Sequence, residues 1–503
     1  MARAARLFSP LARRGGKRHA AAAVRAHAMN NLLEHPWLGL LSAACGVVLA
    51  LLAVARLLAE KRQPGNTLAW LLAIVLVPWL GVPLFLLIGG RKIERLARAK
   101  GALRPVLPGA VPPAGRSAGR PVAQTVVSAG APPPIGGNTL RLLADGQEMF
   151  AEMETRIRAA RHSIHITTFI LGRDDTGRRL VRLLAARARE GVKVRLLLDA
   201  VGCMFLSRDF LHPLTRAGGE VAWFMPVLHF ATRGSANLRN HRKIAVFDHC
   251  AAIVGGHNLA RNYLGPQPWR RRWHDFSAVV TGPAAVQLHE IFVADWGFAT
   301  GQPPAALRAG LAADEARAEH GDAELQVVAS GPDVPGDPLY EGILAMVQEA
   351  QESVTVITPY FIPDEVLMRS LVTKARAGRR VTVLVPAKPD HLLTELARRH
   401  ALRELHAAGA EVRLVGPGMM HSKGLITDDR IALFGSANLD PRSLFLNFEV
   451  GVFVHSRAEV RAMRAWADGL RAQSQPFRPE RPRGFAPLRE LAEDVARLLA
   501  PLL

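Results

Sequence analysis

Two segments with the same spacing, His241-x-Lys243-x4-Asp248 and His421-x-Lys423-x4-Asp428, stand 180 residues apart in a chain of 503. Their surroundings repeat as well. Ser163 to Ile170 corresponds to Ser353 to Tyr360, and Gly191 to Leu198 corresponds to Gly378 to Val385. Gly255-Gly-His-Asn-Leu259 corresponds to Gly435-Ser-Ala-Asn-Leu439, again 180 positions on. An ordered internal repeat of this kind requires two similarly folded halves. Apolar strand-like runs alternate with helix-length stretches that end at glycine, so each half is expected to be an α/β sandwich with largely parallel central strands. The two lobes are expected to face each other across a pseudo-twofold axis.

The repeat also carries the chemistry. Side chains alternate along a strand, so His241 and Lys243 share one face, as do His421 and Lys423. Brought together by symmetry, two imidazoles flank a reacting phosphorus while two ammonium groups neutralise the developing charge on its oxygens. Asn258 and Asn438 are candidate hydrogen-bond donors to those oxygens, with Ser436 as a further supporting residue. The arrangement requires no metal, and His162, His165, His257 and His274 have no metal-ligand spacing.

A net charge of +21 points to anionic partners, either nucleic acid or an acidic lipid surface. The three cysteines, Cys45, Cys203 and Cys250, make neither a disulfide framework nor a CxxC site. Pro36 to Ala55 is a run of 20 uncharged residues, and Thr67 to Ile88 is a second of 22. Each is long enough to cross a bilayer, which predicts a two-span hairpin turned at Pro64-Gly65. Seven Lys or Arg precede the first run, three lie between the runs and six follow within Arg91 to Arg104, placing both outer ends in the cytoplasm. Pro78 and Pro83 leave a kinked or re-entrant second segment as the alternative.

The expected order is therefore a basic arm over 1–35, two transmembrane helices within 36–90, and a basic and Pro/Ala/Gly-rich linker over 91–137. The lobes follow at 138–310 and 311–475, and an amphipathic tail occupies 476–503. Trp269-Arg-Arg-Arg-Trp273 reads either as a headgroup-gripping segment or as a solvated basic loop. The apolar stripe of Leu488 to Leu503 reads either as a membrane-lying helix or as one packed on its own domain.

Both repeated segments resemble the HKD motifs of the phospholipase D superfamily, and the chain after Asn31 resembles its bacterial cardiolipin synthases. The residues carrying the resemblance include Asn240-His-Arg-Lys243, Thr358-Pro-Tyr-Phe-Ile-Pro363, Gly435 to Ser443 and Asn447-Phe-Glu449. The resemblance implies a phosphohistidine mechanism without cofactor, with His241 as nucleophile and His421 as general acid and base. Asp275 and Glu449 become candidates for orienting the imidazoles. Asp248 and Asp428 are read as structural, binding turn amides at strand ends. The implied reaction passes phosphatidyl from one phosphatidylglycerol to another at the bacterial inner membrane, with the catalytic domain facing the cytoplasm. Anionic phospholipids are the expected partners and nucleic acid is not. A phospholipase D that uses water, or less favourably a nuclease, would use the same residues. Phe169 and Ala260-Arg-Asn262 depart from the family pattern, and these departures bear on the acceptor.

Overall fold

The computed structural model describes residues 36–59, 64–88, 115–226, 238–308, 321–334, 336–390 and 392–479, together with Glu493. The chain divides into two units, Met1–Gly90 and Arg91–Leu503. The expected basic arm, the first part of the linker and nearly all of the tail lie outside the described residues. Glu493 is buried and its carboxylate accepts from Arg403 at 2.6 Å. That contact matches a tail lying on its own domain.

In the first unit, α1 spans Pro36–Ala59, α2 Pro64–Leu76 and α3 Pro78–Ile88. Among the described residues, no helix is long and apolar enough to cross a membrane. The single helix expected over Thr67 to Ile88 is instead a tight helical hairpin. Fifteen residues of straight helix would separate Trp70 from Phe85 by about 22 Å, yet their rings meet edge to face at 5.5 Å. Pro78 supplies the cause, because it has no N–H to continue the helical ladder. Gly81 permits the fold-back, since a Cβ there would lie 2.1 Å from the carbonyl oxygen of Ala73. Ile74, Val82 and Phe85 then close on Ala53 and Leu57 of α1.

In the second unit the first lobe contains β1 Ile135–Leu143, β2 Ser163–Thr168, β3 Lys193–Asp199, β4 Glu220–Phe224, β5 Ile244–Phe247, β6 Ala251–Gly255 and β7 Ser277–Thr281. The second contains β8 Ala323–Ser330, β9 Ser353–Ile357, β10 Arg380–Pro386, β11 Glu411–Val415, β12 Gly424–Thr427, β13 Ile431–Gly435, β14 Glu449–Val454 and β15 Ser474–Pro476. All fifteen form one sheet in the order β15-β11-β10-β9-β12-β13-β14-β8-β1-β7-β6-β5-β2-β3-β4. The sequence of elements reads alike outward from the β8–β1 seam, which is the pseudo-twofold relation inferred from the repeat.

The lobes are α/β as expected, but only β2–β3–β4 and β9–β10–β11 pair in parallel. The motif strands run antiparallel, β5 with β6 and β12 with β13. Their connections are too short for a parallel crossover, so only a hairpin can form. The linker also folds sooner than expected. Helix Pro121–Ser128 buries Val122, Ala123 and Val126, and β1 starts at Ile135.

Helices form where a cap and an apolar stripe coincide. Asp174 caps Asp175–Arg189 by accepting from the Gly177 amide, and Leu180, Val181, Leu184 and Ala185 turn inward. In the second lobe Asp364 caps Glu365–Arg376, which buries Leu367, Met368, Leu371 and Val372. Truncating one such side chain, as in Leu371→Ala, removes about 2–5 kcal/mol.

The motif aspartates hold the strand reversals, as read from the sequence. Asp248 accepts backbone N–H bonds from Arg161, His162 and Ser163 at 2.7–2.9 Å. Asp428 accepts from Gln351, Glu352 and Ser353 at 2.7–2.8 Å. Both sit at positive φ, 47° and 52°. Burial opposes ionisation of Asp428, but the three amides outweigh it and hold the carboxyl below its ordinary range. Asp428→Ala is expected to cost about 2–3 kcal/mol, seen as a lower urea midpoint. Because the folded pKa is depressed, this contribution is complete above the ordinary carboxylate range and disappears as pH falls through the folded value. Spin labels at Leu68 and Leu84 test the hairpin separately. They are expected within about 15 Å, whereas a continuous helix would hold them about 24 Å apart.

Candidate active site

Each motif's His-x-Lys lies in an extended lead-in just before its strand, since β5 begins at Ile244 and β12 at Gly424. The alternation argument survives this shift because the lead-ins are extended. What fixes them is the opposite lobe. The His241 N–H donates to the Phe448 carbonyl at 2.9 Å, and the Phe448 N–H donates to that of Arg239 at 2.9 Å. The His421 N–H donates to the His274 carbonyl at 2.7 Å, and the His274 N–H donates to Met419 at 2.8 Å. Each motif is thus bridged in parallel to a segment of the other half.

The orienting carboxylates are exchanged in the same way. Nδ1 of His241 lies 3.0 and 3.1 Å from the carboxylate oxygens of Glu449, the first residue of β14. Nδ1 of His421 lies 2.6 Å from Oδ2 of Asp275, just ahead of β7. The sequence identified both acids but not this crossing. Burial opposes ionisation of Glu449, but His241, Lys243 and Ser436 together keep it ionised below its ordinary range. An ionised carboxylate only accepts, so the proton of neutral His241 is on Nδ1 and the lone pair of Nε2 is free. Burial holds His241 down to about 4 even though Glu449 pulls the other way. Burial and the neighbouring cations Lys423 and Lys243 hold His421 well below its ordinary value.

The lysines are buried, at 5% exposure for Lys243 and 3% for Lys423. Lys243 donates to the His241 carbonyl at 2.7 Å. Lys423 bonds to the His421 carbonyl and lies 3.1 Å from Nε2 of the same ring. Burial lowers both ammonium groups, Lys423 to about 8. A bound phosphodiester would add to the carboxylate charge that acts on both lysines.

Other expected residues divide between support and binding. Ser436 bonds to the Glu449 carboxylate and accepts from the Val450 amide at 3.0 Å, so it braces the acid. Its counterpart Gly256 leaves room for Asp275, whose Oδ1 would lie 2.1 Å from a Cβ there. Asn258 accepts from the Ile170 amide at 3.1 Å. Asn438 is 5% exposed; its amide pairs with Asp440, and its Oδ1 is a buried acceptor without a hydrogen-bond partner. Ser422 donates to the His274 carbonyl at 3.1 Å and is structural.

Sequence reasoning missed the buried support behind His241. Arg242 donates to Asp295 at 2.7 Å, to the Ser330 carbonyl at 3.0 Å and to the Glu449 carbonyl at 2.9 Å. Asn240 bonds to the other oxygen of Asp295 at 2.9 Å. Asp295 lies on a helix buried on nearly all sides, where no period or motif distinguishes it. Also missed was the wall around His421, built by Tyr263, Trp273 and Tyr360 with ring centroids at 5.1, 5.4 and 6.4 Å. Trp273 therefore belongs to the site, while Trp269 lies against the Arg261 guanidinium at 4.8 Å.

One histidine group outside the site gathers imidazole nitrogens. His165 Nδ1 and His249 Nδ1 lie 3.0 and 3.2 Å from His289 Nε2. Arg195 donates to Nε2 of His165 at 3.2 Å, so the ring's proton must be on Nδ1, the atom facing His289. That tautomer leaves no lone pair for a cation there, and the group is a buried hydrogen-bond chain.

Titration of two site residues has a measurable consequence. The value of kcat/KM is expected to fall below pH about 4, where His241 gains a proton, and above about 8, where Lys423 loses one. Lys423→Arg is expected to move only the basic limb upward in a pH–rate profile.

A family model described as "Cardiolipin synthase, PLD-like domain" matches residues 153–296 and 343–471. One described as "Phospholipase D-nuclease N-terminal" matches 48–90. The chain is 32% identical over 501 residues to a cardiolipin synthase of Geobacillus kaustophilus, covering 94% of this chain and 96% of that protein. It is 33% identical over 481 residues to cardiolipin synthase A of Pseudomonas aeruginosa, covering 93% and 96%. Among solved structures, phosphatidylserine synthase of Haemophilus influenzae superposes with a TM-score of 0.56 at 17% identity, covering 72% of this chain and 95% of that one. That last likeness concerns the fold alone.

Proposed function

Because the chain belongs to the family of phospholipase D-like cardiolipin synthases, we propose that it is a phosphatidyltransferase converting two phosphatidylglycerols into cardiolipin and glycerol. The observation carrying this reading is the crosswise pairing of His241 with Glu449 and of His421 with Asp275. It leaves two Nε2 atoms and two buried lysines to serve one phosphodiester.

Nε2 of His241 attacks phosphorus. The bond to the glycerol oxygen breaks, and that oxygen takes a proton from Nε2 of His421. The hydroxyl of a second phosphatidylglycerol then returns a proton to His421 as its oxygen displaces His241 from phosphorus. Lys243 and Lys423 stabilise charge on the non-bridging oxygens in both steps. Negative charge at the site raises the proton affinity of His421, which burial and the two lysines depress in the free protein. The free lone pair on Nε2 of His241, whose Nδ1 proton goes to Glu449, supports its role as nucleophile. Glu449 and Asp275 orient the rings.

For anchoring, the amino-terminal unit is assigned to the bacterial inner membrane. Leu40, Leu41, Leu51, Leu52, Leu72 and Leu76 are exposed on it, more apolar surface than a water-facing helix group tolerates. The bent α2–α3 pair dips into the bilayer as a re-entrant segment. By the positive-inside rule, the Lys and Arg on either side of this unit in the sequence favour a cytoplasmic catalytic domain.

Purified protein in vesicles of labelled phosphatidylglycerol is expected to release glycerol and accumulate cardiolipin. Phosphatidic acid as the sole lipid product would overturn the synthase reading in favour of hydrolysis. Acid-quenched His421→Ala is expected to retain a phosphohistidine that His241→Ala cannot form.

A further inference from the structure

The two halves of the site are matched in the charged residues but not in the surfaces beside the histidines. Thr168 Oγ1 donates to the Ile170 carbonyl at 3.1 Å, and Thr358 Oγ1 donates to the Tyr360 carbonyl at 3.0 Å. The next residues, Leu171 and Phe361, bridge to Leu259 and Leu439. Ile170 and Tyr360 are therefore structural equivalents, and they differ in chemistry. Beside His241 stands Phe169, its ring 5.0 Å away and 5.5 Å from the Lys243 ammonium. That side offers no side-chain hydroxyl from the equivalent strand end.

The His421 side is polar. Tyr360 donates its hydroxyl to both carboxylate oxygens of Asp390 at 2.9 Å. Tyr263 and Trp273 close the other side of the ring, 4.8 Å from each other. Asp390 is exposed, and its charge acts on the buried Lys423. A phenol oxygen beside a carboxylate presents several acceptor lone pairs fixed in one place. A carboxylate of this kind selects a neighbouring hydroxyl group over a hydrogen atom or a methyl.

We propose that Tyr360 and Asp390 form the subsite for the second hydroxyl of a glycerol headgroup whose reacting oxygen lies at His421. This rests on the assignment of His421 as the acid and base for the alcohol. The alcohol that leaves and the alcohol that enters must both exchange a proton with one nitrogen. In the proposed reaction both are glycerols carrying a further free hydroxyl. One subsite therefore serves departure and arrival in turn, and it favours a polyol over water or a monohydric alcohol. The acyl chains of the donor need no such partner, consistent with the apolar Phe169 beside His241.

The test is partition of the phosphatidyl-enzyme. The full-length protein is given phosphatidylglycerol vesicles with equal concentrations of isotope-labelled glycerol and 1-propanol. Labelled phosphatidylglycerol, phosphatidylpropanol and phosphatidic acid are then counted. The ratios are set within each active molecule, so a partly unfolded preparation does not distort them. The wild-type protein is expected to favour glycerol over propanol. Asp390→Asn and Tyr360→Phe are each expected to reduce that preference about tenfold, the usual effect of losing one hydrogen bond to a charged group. The propanol-to-water ratio is expected to change less than about twofold.

A glycerol preference that is absent in the wild type, or that survives in both variants, overturns the proposal. Cardiolipin formation in the same vesicles reports on the synthase reading separately. Cardiolipin with an unchanged preference in both variants sinks the subsite alone. A reduced preference without cardiolipin sinks the synthase and leaves the subsite standing.

Discussion

The site depends on carboxylates that cross between the lobes. Glu449 and Asp275 are buried, with 0% and 2% exposure, and a buried carboxylate without a partner is costly. Each meets its imidazole only when the two halves are docked. Breaking one of these pairs by removing a partner would cost about 3–5 kcal/mol, since it leaves a charge stranded in the interior. Docking and imidazole orientation are therefore the same event. The backbone bridges from His241 to Phe448 and from His421 to His274 act in the same direction.

A second constraint is the burial of two ammonium groups in the cleft. Lys243 and Lys423 are buried beside two acids that already serve histidines, and Arg242 is committed to Asp295. Burial depresses both lysines below their ordinary values. A monoanionic phosphodiester bound there would pair with both ammonium groups, whose charge burial otherwise disfavours. Binding energy is therefore available from the substrate's charge without any contact to its chains.

Much of this was legible because the repeat prints short-range information twice. The His-x-Lys pairs and the turn-binding Asp248 and Asp428 act within one lobe, at separations a pattern can reveal. The crossing of Asp275 and Glu449 was not legible. Either pairing of acids with histidines uses the same residues, and only docking of the lobes decides between them. Largely parallel pairing was expected from the alternation of helices and strands, but the short hairpins at Asp248 and Asp428 turn the motif strands antiparallel. The bend at Pro78 was visible as an alternative only. A folded-back apolar pair and a straight span have the same composition, and the deciding contact is Gly81 against Ala73. Tyr360 was quoted for its place in the repeat and in the family resemblance but not as a site residue, because its partner Asp390 belongs to a different loop.

The exchange of acids between lobes also bears on ancestry. A twofold pair of identical half-length chains, each holding one histidine and one carboxylate, would present the same crosswise contacts without any linker. Joining two such copies into one polypeptide would preserve the contacts while freeing the halves from identity. Ser436 opposite Gly256 and Tyr360 opposite Ile170 are differences that a strict homodimer could not hold. With them, a symmetric pair of equal histidines becomes an ordered pair with a beginning and an end to its reaction.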